Sequence, residues 1–143
     1  MGTHVLVALD DSRPAWDALE HAIEYPNVDR LTIAHCLDPS EVLYWSGQGG
    51  YADVDGYERA HADGESLVSD ARGHVEAASP DLTVETMVEL GRPARTIVDI
   101  VGEVDADHVV IGSHGRSGVS RVLLGSVAEA VVRRAPCPVT VVR

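Results

Sequence analysis

Lysine is absent from this chain of 143 residues, and all 11 of its basic residues are arginine. The absence excludes every mechanism that needs a lysine: a Walker A phosphate lysine, the strand lysine of a protein kinase, and a Schiff base. The chain carries 23 acidic residues and a net charge of −12. Carboxylates keep a surface hydrated at high salt, so we interpret the composition as halophilic. An ordinary acidic cytosolic protein is the alternative, and it explains the missing lysines poorly.

The sequence also lacks long apolar runs, a leader segment and the spacing of a metal site. No apolar run is long enough to cross a bilayer, and the start "MGTHVLVALDD" has neither the basic residues nor the cleavage site of a signal peptide. Cys36 and Cys137 lie far apart in apolar stretches, and the seven histidines show no ligand spacing. We therefore expect a cytoplasmic protein with inert thiols, no metal site and no membrane contact.

The charge is distributed unevenly along the chain. Residues 1–110 hold 22 acids and 6 arginines, whereas residues 111–143 hold five arginines and one acid. Proteins bind nucleic acid largely by neutralising phosphates, so a surface this acidic argues against a nucleic-acid partner. A single small anion at the basic end of the chain is the better fit.

Short apolar stretches alternate with helix-like segments through the whole sequence. Five of these stretches are predicted to be strands: 4–10, 31–37, 82–90, 108–112 and 138–142. Strands alternating with helices indicate a parallel sheet with helices on both faces, so we predict one doubly wound α/β domain over residues 1–143. In such a sheet ligands bind at the carboxyl ends of the strands, where the strand order reverses. Asp10 and Gly112 would line that crevice if the first and fourth strands are neighbours.

Local signals indicate where some elements begin and end. Ser12 is predicted to cap the first helix, with Pro14 in its first turn. Residues 38–56 contain glycines and isolated aromatics without periodicity, which predicts a long loop. Apolar and polar residues alternate in 82–90, so this strand should expose one face to water at a sheet edge.

The segment "GSHGRSGVSRVLLGS", residues 112–126, combines glycines, arginines and hydroxyls without an acid. Gly112 and Gly115 frame a tight turn directly after a strand, where bare backbone amides can face a phosphate. Gly125 and Ser126 open a helix, which adds amide donors and the positive end of the helix dipole. This combination favours an anion site.

Arg116 and Arg121 in the same segment would meet the remaining phosphate charge. An alternative needs no ligand, because Ser126 and Glu129 also match a capping box and glycines are ordinary turn residues. The residues alone leave these two interpretations open.

The same segment matches the pattern Gly-x2-Gly-x9-Gly-Ser/Thr and resembles the nucleotide-binding signature of the universal stress protein family. Other stretches resemble strands and helices of this family: "VLVALDDS", "GRPARTIVDIV", "DHVVIGSHGRSG" and "SVAEAVVRRAPCPVTVVR". The resemblance spans nearly the whole chain and leaves only residues 38–66 undefined. It implies an ATP-binding fold with the strand order 3-2-1-4-5, whose switch point lies between the first and fourth strands.

The resemblance also implies a set of nucleotide contacts. Ala8, Leu9 and Asp10 would hold ribose and adenine, and the backbone of Cys36 would lie against the base. The segment 112–127 would wrap the phosphates of ATP, with Mg²⁺ as the usual companion ion. The implied site residues are Ala8, Leu9, Asp10, Cys36, Gly112, His114, Gly115, Arg116, Gly125, Ser126 and Val127.

Several of these positions have structural alternatives. Asp10 can cap the first helix instead of binding ribose, a role open to Asp11 and Ser12 as well. Asp11 departs from the family, in which this position is often glycine or uncharged, and it adds negative charge near the ribose. His35 is expected to be a satisfied core or interface histidine, and His114 is by type and position more often an exposed turn residue than a ligand.

These observations predict an ATP-binding module whose nucleotide state tunes contacts with a partner protein during stress. One alternative is a weak ATPase or phosphotransferase, which needs a base or water-positioning group beside the γ-phosphate; the basic segment offers only His114 and serines. A second alternative is a nucleotide-free dimeric scaffold, and the intact glycine motif argues against it. The last strand is an apolar edge, so we expect a homodimer that pairs through Val139 and Val141.

Overall fold

Strands and helices alternate along the residues that the structure, a computed structural model, describes: 2–41, 54–114 and 124–143. The strands are β1 (Thr3–Ala8), β2 (Val28–Leu37), β3 (Thr83–Leu90), β4 (His108–Gly112) and β5 (Val139–Val142). The helices that frame the sheet are α1 (Arg13–Ile23), α2 (Val54–Ala78), α3 (Pro93–Val104) and α4 (Ser126–Arg134). All neighbouring strands are parallel, in the order β3-β2-β1-β4-β5. The predicted doubly wound sheet and its strand order are confirmed.

The central strand β1 shows why the sheet carries helices on both faces. Its residues Val5, Leu6 and Val7 are fully buried, and successive side chains of a strand point to opposite faces. Val5 and Val7 pack with α1 and α2, whereas Leu6 packs with α3 and α4. A strand that is buried on both faces is continuously apolar, which is the pattern that predicted it.

The first helix begins where the sequence predicts. Ser12 is its N-cap, and the Ser12 hydroxyl accepts a hydrogen bond from the backbone N–H of Ala15 at 3.3 Å. Pro14 lies in the first turn, where its missing N–H removes no helical hydrogen bond. The cap satisfies one of the donors that the first turn of a helix leaves unpaired.

The predicted loop over 38–56 is wrong at both ends: residues 39–41 are helical, and α2 begins at Val54 and continues for 25 residues to Ala78. The helix also covers residues 54–66 of the stretch 38–66 that the family resemblance left undefined. Residues 42–53 lie outside the described part of the chain.

Small residues explain why the first half of α2 escaped the sequence pattern. Gly56 and Gly64 are buried there and Ala60 is half-buried. Such a face brings the helix close to the sheet but produces no hydrophobic periodicity. Even with α2 included, none of the described helices is long and apolar enough to span a membrane.

β3 lies at one edge of the sheet, as its alternating pattern predicted. Val84 is buried, whereas Leu90 is 51% exposed. Glu85 on β3 forms an ion pair with Arg30 on β2 at 2.6 Å. Charge on an edge strand disfavours pairing with another chain. The two edges of the sheet differ in this respect, because β3 is charged and β5 is uncharged.

Candidate functional site

A cleft of about 520 Å³ opens at the carboxyl ends of the strands, where the strand order reverses. α1 follows β1 and packs on one face of the sheet, whereas α4 follows β4 and packs on the other. The connections that leave β1 and β4 therefore part and leave the cleft between them. The structure brings these predicted site residues together along its walls: Ala8, Leu9, Asp10, Cys36, Gly112, His114, Gly125, Ser126 and Val127. Gly115 and Arg116 lie outside the described residues.

The backbone of Leu9 is fixed at the end of β1. Its N–H donates to the carbonyl of Ala34 at 2.8 Å, and its carbonyl accepts a hydrogen bond from Nδ1 of His35 at 2.7 Å. Both backbone polar groups of Leu9 are therefore hydrogen-bonded within the protein. Leu9 contributes to the shape of the cleft and not to its hydrogen bonding. His35 is 7% exposed, which confirms the predicted core position.

Asp10 holds the cap of α1 in place. One carboxylate oxygen, Oδ1, accepts from the N–H of Ser12 at 3.0 Å and from its hydroxyl at 2.5 Å. The observed N-cap is Ser12 itself. The alternative that Asp10 caps the helix directly is therefore wrong. Asp10 instead orients the cap while its side chain lines the cleft.

Asp11 has a backbone φ of 64°, in the left-handed region. Glycine adopts this region most readily, and Asp tolerates it better than branched residues do. The Asp11 carboxylate accepts a hydrogen bond from the indole N–H of Trp16 at 3.1 Å. A turn of this shape explains physically why glycine suits the position.

Gly112 ends β4 against the first turn of α1. A Cβ at this position would lie 2.8 Å from the carbonyl carbon of Pro14 and 2.9 Å from the amide nitrogen of Ala15. The missing side chain therefore makes room for a neighbouring helix. The sequence pattern had linked this glycine only to a phosphate turn.

The N-terminus of α4 forms the wall of the cleft opposite Asp10. Gly125 is the N-cap and Ser126 the first helical residue, so the capping-box interpretation of Ser126 and Glu129 is wrong. Glu129 instead forms an ion pair with Arg133 at 2.7 Å. The first intrahelical bond runs from the N–H of Glu129 to the carbonyl of Gly125 at 2.9 Å. The amides of 126–128 precede that bond and lie at the positive end of the helix dipole.

Contacts between β4 and α4 hold this helix start in position. The N–H of Gly125 donates to the carbonyl of Ser113 at 2.5 Å, and the N–H of Ser113 donates to the carbonyl of Val142 at 2.7 Å. The Ser113 hydroxyl is hydrogen-bonded to Nδ1 of His114 at 3.0 Å. His114 is half-buried in the cleft, so the expectation of an exposed turn residue is wrong.

Cys36 contributes a neutral, apolar surface to the cleft. Burial, and to a smaller extent the nearby Glu89 carboxylate, raises the pKa of its thiol to about 12. A thiol with this pKa stays protonated and is a poor nucleophile. The predicted inert character of Cys36 therefore agrees with its surroundings.

The sequence reasoning missed part of the cleft. Pro93 and Ile97 of α3, together with Ile111 of β4, supply an apolar wall. Asp38 and Glu41, just beyond β2, add carboxylates on the side of Asp10. Only the helical periodicity of "GRPARTIVDIV" pointed to Ile97, and it predicted burial in the core rather than contact with a ligand.

The whole chain, residues 1–143, matches the model of the Universal stress protein family. A Staphylococcus saprophyticus protein whose name places it in the same family is 32% identical to this chain over 146 residues. The match covers 97% of this chain and 82% of the relative.

Solved structures share the fold over almost the full length. A universal stress protein from Archaeoglobus fulgidus in complex with dAMP is 25% identical, with a TM-score of 0.68, and the match covers 100% of this chain and 98% of that one. A universal stress protein in complex with cAMP is also 25% identical, with a TM-score of 0.68 and coverages of 99% and 97%.

Proposed function

Because the chain belongs to the universal stress protein family, we propose that it binds an adenine nucleotide, ATP with Mg²⁺, in the cleft at the ends of β1 and β4. Its nucleotide state would tune contacts with a partner protein during stress. The observation that carries the proposal is the N-terminus of α4, which opens on the cleft beside Ser126. The structures of relatives with dAMP and cAMP support adenine as the base.

The phosphates belong at the start of α4. Amides that precede the first intrahelical bond, the hydroxyl of Ser126 and the helix dipole together favour an anion. Gly115 and Arg116 would close around the phosphates from the adjoining segment. Mg²⁺ would be held mainly by phosphate oxygens, since no group of three metal-ligating side chains converges among the described residues.

The ribose and adenine belong at the opposite side of the cleft. Asp10 is oriented by two hydrogen bonds from Ser12, so its carboxylate is a fixed acceptor for ribose hydroxyls. Ile97 and Ile111 supply apolar surface for a flat base. The cleft volume of about 520 Å³ lies within the range of roughly 300–1,000 Å³ that is usual for small-molecule sites.

We also propose that two copies pair through β5. In a parallel strand, every second residue hydrogen-bonds to the same neighbouring strand. The carbonyls of Pro138 and Val142 accept hydrogen bonds from the N–H groups of Val109 in β4 and of Ser113 just after it. The amides of Val139 and Val141 therefore face the open edge. A cytoplasmic, halophilic setting remains part of this proposal and rests on the lysine-free acidic composition.

Charge reversal at the start of α4 tests nucleotide binding without weakening the helix. Ser126→Glu adds a negative charge that the helix dipole favours, so α4 should be as stable as before or more so. The same charge should repel a phosphate, and we expect the affinity for AMP to fall by about tenfold or more. Isothermal titration calorimetry of the dialysed protein measures the change.

Two controls isolate the phosphate. Ser126→Gln introduces a side chain of the same size as glutamate but without its charge. This variant should lose much less affinity for AMP. Adenosine, which has no phosphate, should bind Ser126→Glu and the unaltered protein alike. Equal AMP affinity in the Glu and Gln variants would contradict the phosphate position, and failure of all adenine nucleotides to bind would refute the proposal as a whole.

A further inference from the structure

The sequence Leu-Asp-x-Ser occurs twice, each time at the end of a strand that borders the cleft. The first copy is residues 9–12 after β1, and the second is residues 37–40 at the end of β2. In both copies one carboxylate oxygen accepts from the N–H and from the hydroxyl of the serine. An aspartate that bonds to the chain two positions on forms an Asx turn. The carboxylates of both turns, Asp10 and Asp38, line the cleft.

The two turns differ in how firmly the serine hydroxyl is held. Ser12 is 7% exposed, whereas Ser40 is exposed, so water can replace the bond that Ser40 makes. The Ser12 hydroxyl also accepts from the N–H of Ala15 at 3.3 Å. A carboxylate only accepts, so the one proton of this hydroxyl is donated to Oδ1 of Asp10, at 2.5 Å. The Ser12 hydroxyl is therefore bonded on both sides.

The backbone and the packing of α1 fix the first turn. Asp11 has a φ of 64°, and the residues on either side of it, Asp10 and Ser12, both line the cleft. The helix that Ser12 caps is held against β4, where a Cβ on Gly112 would lie 2.9 Å from the amide nitrogen of Ala15. The orientation of the Asp10 carboxylate thus depends on Ser12, and the position of Ser12 depends on how α1 packs on the sheet.

We propose that Ser12 is a positioning residue that makes the cleft selective for ribonucleotides. Ser12 holds the Asp10 carboxylate in the orientation in which ribose hydroxyls donate to it. A carboxylate has about four acceptor sites, so it can accept from Ser12 and from a ligand together. A site built to bond a hydroxyl discriminates against an analogue that lacks this hydroxyl, because a polar group of the site then loses its partner. The inference rests on the proposed nucleotide site.

A matched pair of nucleotides measures this selectivity on the unaltered protein. AMP and 2′,3′-dideoxy-AMP carry the same base, phosphate and charge, and they differ only in the ribose hydroxyls. We expect AMP to bind about tenfold more tightly, the effect of one hydrogen bond to a charged acceptor. Isothermal titration calorimetry gives both affinities. Their ratio is the readout, because a weakened helix or a weakened phosphate contact would lower both affinities alike.

Variants of the two serines test the role of Ser12. Ser12→Gly removes the hydroxyl, and glycine is tolerated as an N-cap. The ratio should fall to about threefold or less while dideoxy-AMP binds as before. Ser12→Thr keeps the hydroxyl and should keep the tenfold ratio. Ser40→Gly is the matched control, since it removes the serine hydroxyl of the second turn and should leave the ratio unchanged.

The outcomes separate this inference from the proposed function. If AMP does not bind the unaltered protein, the proposed nucleotide site is wrong and the selectivity is wrong with it. If AMP binds, three results overturn the role of Ser12 alone. These are equal affinities of the two nucleotides for the unaltered protein, the same ratio in Ser12→Gly and Ser40→Gly, and a ratio in Ser12→Thr as low as in Ser12→Gly.

A second variant keeps the test decisive if Ser12→Gly does not fold. Ser12→Asp caps a helix as well as serine does, but its carboxylate cannot donate to Asp10. The added charge acts equally on the phosphates of both nucleotides, so it cancels in the ratio. The ratio should again fall to about threefold or less, and an unchanged ratio in Ser12→Asp would overturn the inference.

Discussion

Buried histidines connect neighbouring strands at several places in the sheet. Nε2 of His4 on β1 is hydrogen-bonded to the hydroxyl of Thr32 on β2 at 2.7 Å. Nε2 of His108 on β4 is hydrogen-bonded to the hydroxyl of Thr140 on β5 at 2.6 Å. His35 extends the same arrangement to the backbone at the end of β1. Each pair satisfies polar atoms that would otherwise be costly to bury.

These contacts make stability depend on pH. The pKa values of His4 and His108 are lowered from the ordinary value of 6.5, in both cases chiefly by burial, and nearby positive charge adds to the shift. As the pH falls below about 6.5 the unfolded chain binds more protons than the native protein, so native stability decreases until the lowered pKa values are passed. Urea titrations at fixed salt should therefore show a smaller free energy of unfolding at about pH 5.5 than at about pH 7.5.

Substitution of one histidine tests whether the buried histidines cause this pH dependence of stability. His108→Gln removes one of the two buried imidazoles, so the free energy of unfolding should fall less on acidification. His61→Gln removes a histidine whose side chain is 43% exposed, and it should leave the loss as it is. A pH dependence that is identical in the His108 and His61 variants would contradict the assignment.

Glycines have different roles in different elements. Gly112, at the end of β4, lies where a Cβ would meet the backbone of α1 at less than 3.0 Å. Gly73, within α2, has no atom within 4 Å of its Cβ position. The first glycine is needed for a helix to pack on the sheet, whereas the second only weakens its own helix.

The two positions should therefore respond to alanine with opposite signs. We expect Gly112→Ala to lower the free energy of unfolding by about 1–3 kcal/mol, because the backbone of α1 must shift to admit a methyl group. Gly73→Ala should raise it by about 0.5–1 kcal/mol, the usual gain in a helix interior. Urea unfolding curves at high salt compare both with the unaltered protein. A neutral or stabilising Gly112→Ala would show that α1 packs less tightly on β4 than described.

The whole molecule has one sheet edge protected by charge and one that is not. β3 carries Glu85 and Glu89, and Glu85 is paired with Arg30. β5 is uncharged, and its amides at Val139 and Val141 face away from β4. An uncharged, unpaired edge is a template for another strand. The proposed two-fold pairing of β5 would remove that edge.

Proline at position 141 should separate the copies without unfolding them. Val141→Pro removes an outward N–H and leaves the bonds to β4 intact, which is where edge strands tolerate proline. Multi-angle light scattering at high salt should give a mass of about 15 kDa for this variant, near the 15.2 kDa of one chain, and about twice that for the unaltered protein.

Val141→Thr provides the matched control, since it keeps the N–H and the branched shape. It should remain dimeric, and AMP should bind both variants with the same affinity because β5 lies outside the cleft. A mass near one chain for the unaltered protein would rule out the dimer.

The sequence by itself determined the order of elements, the parallel sheet and the region of the cleft. Burial patterns along β1 and β4 are local, so they can be read from consecutive residues. The convergence of Asp10 and Gly112 followed from the rule that ligands lie where strand order reverses. The segment 112–126 pointed to the start of α4 because the residues that open a helix are neighbours in the chain.

Only the tertiary structure decided which role several of these residues have. The absence of a side chain at Gly112 makes room for α1, which starts about 100 residues earlier in the chain. Because the two segments are far apart in sequence, a local pattern contains no information about their contact. The first half of α2 packs through small side chains, whose burial depends on the sheet beneath them rather than on their own hydrophobicity. The cleft joins Asp10, Cys36 and Ser126 from separate segments. Such clusters are set by distances across the fold, because the backbone brings the residues together only after the sheet has formed.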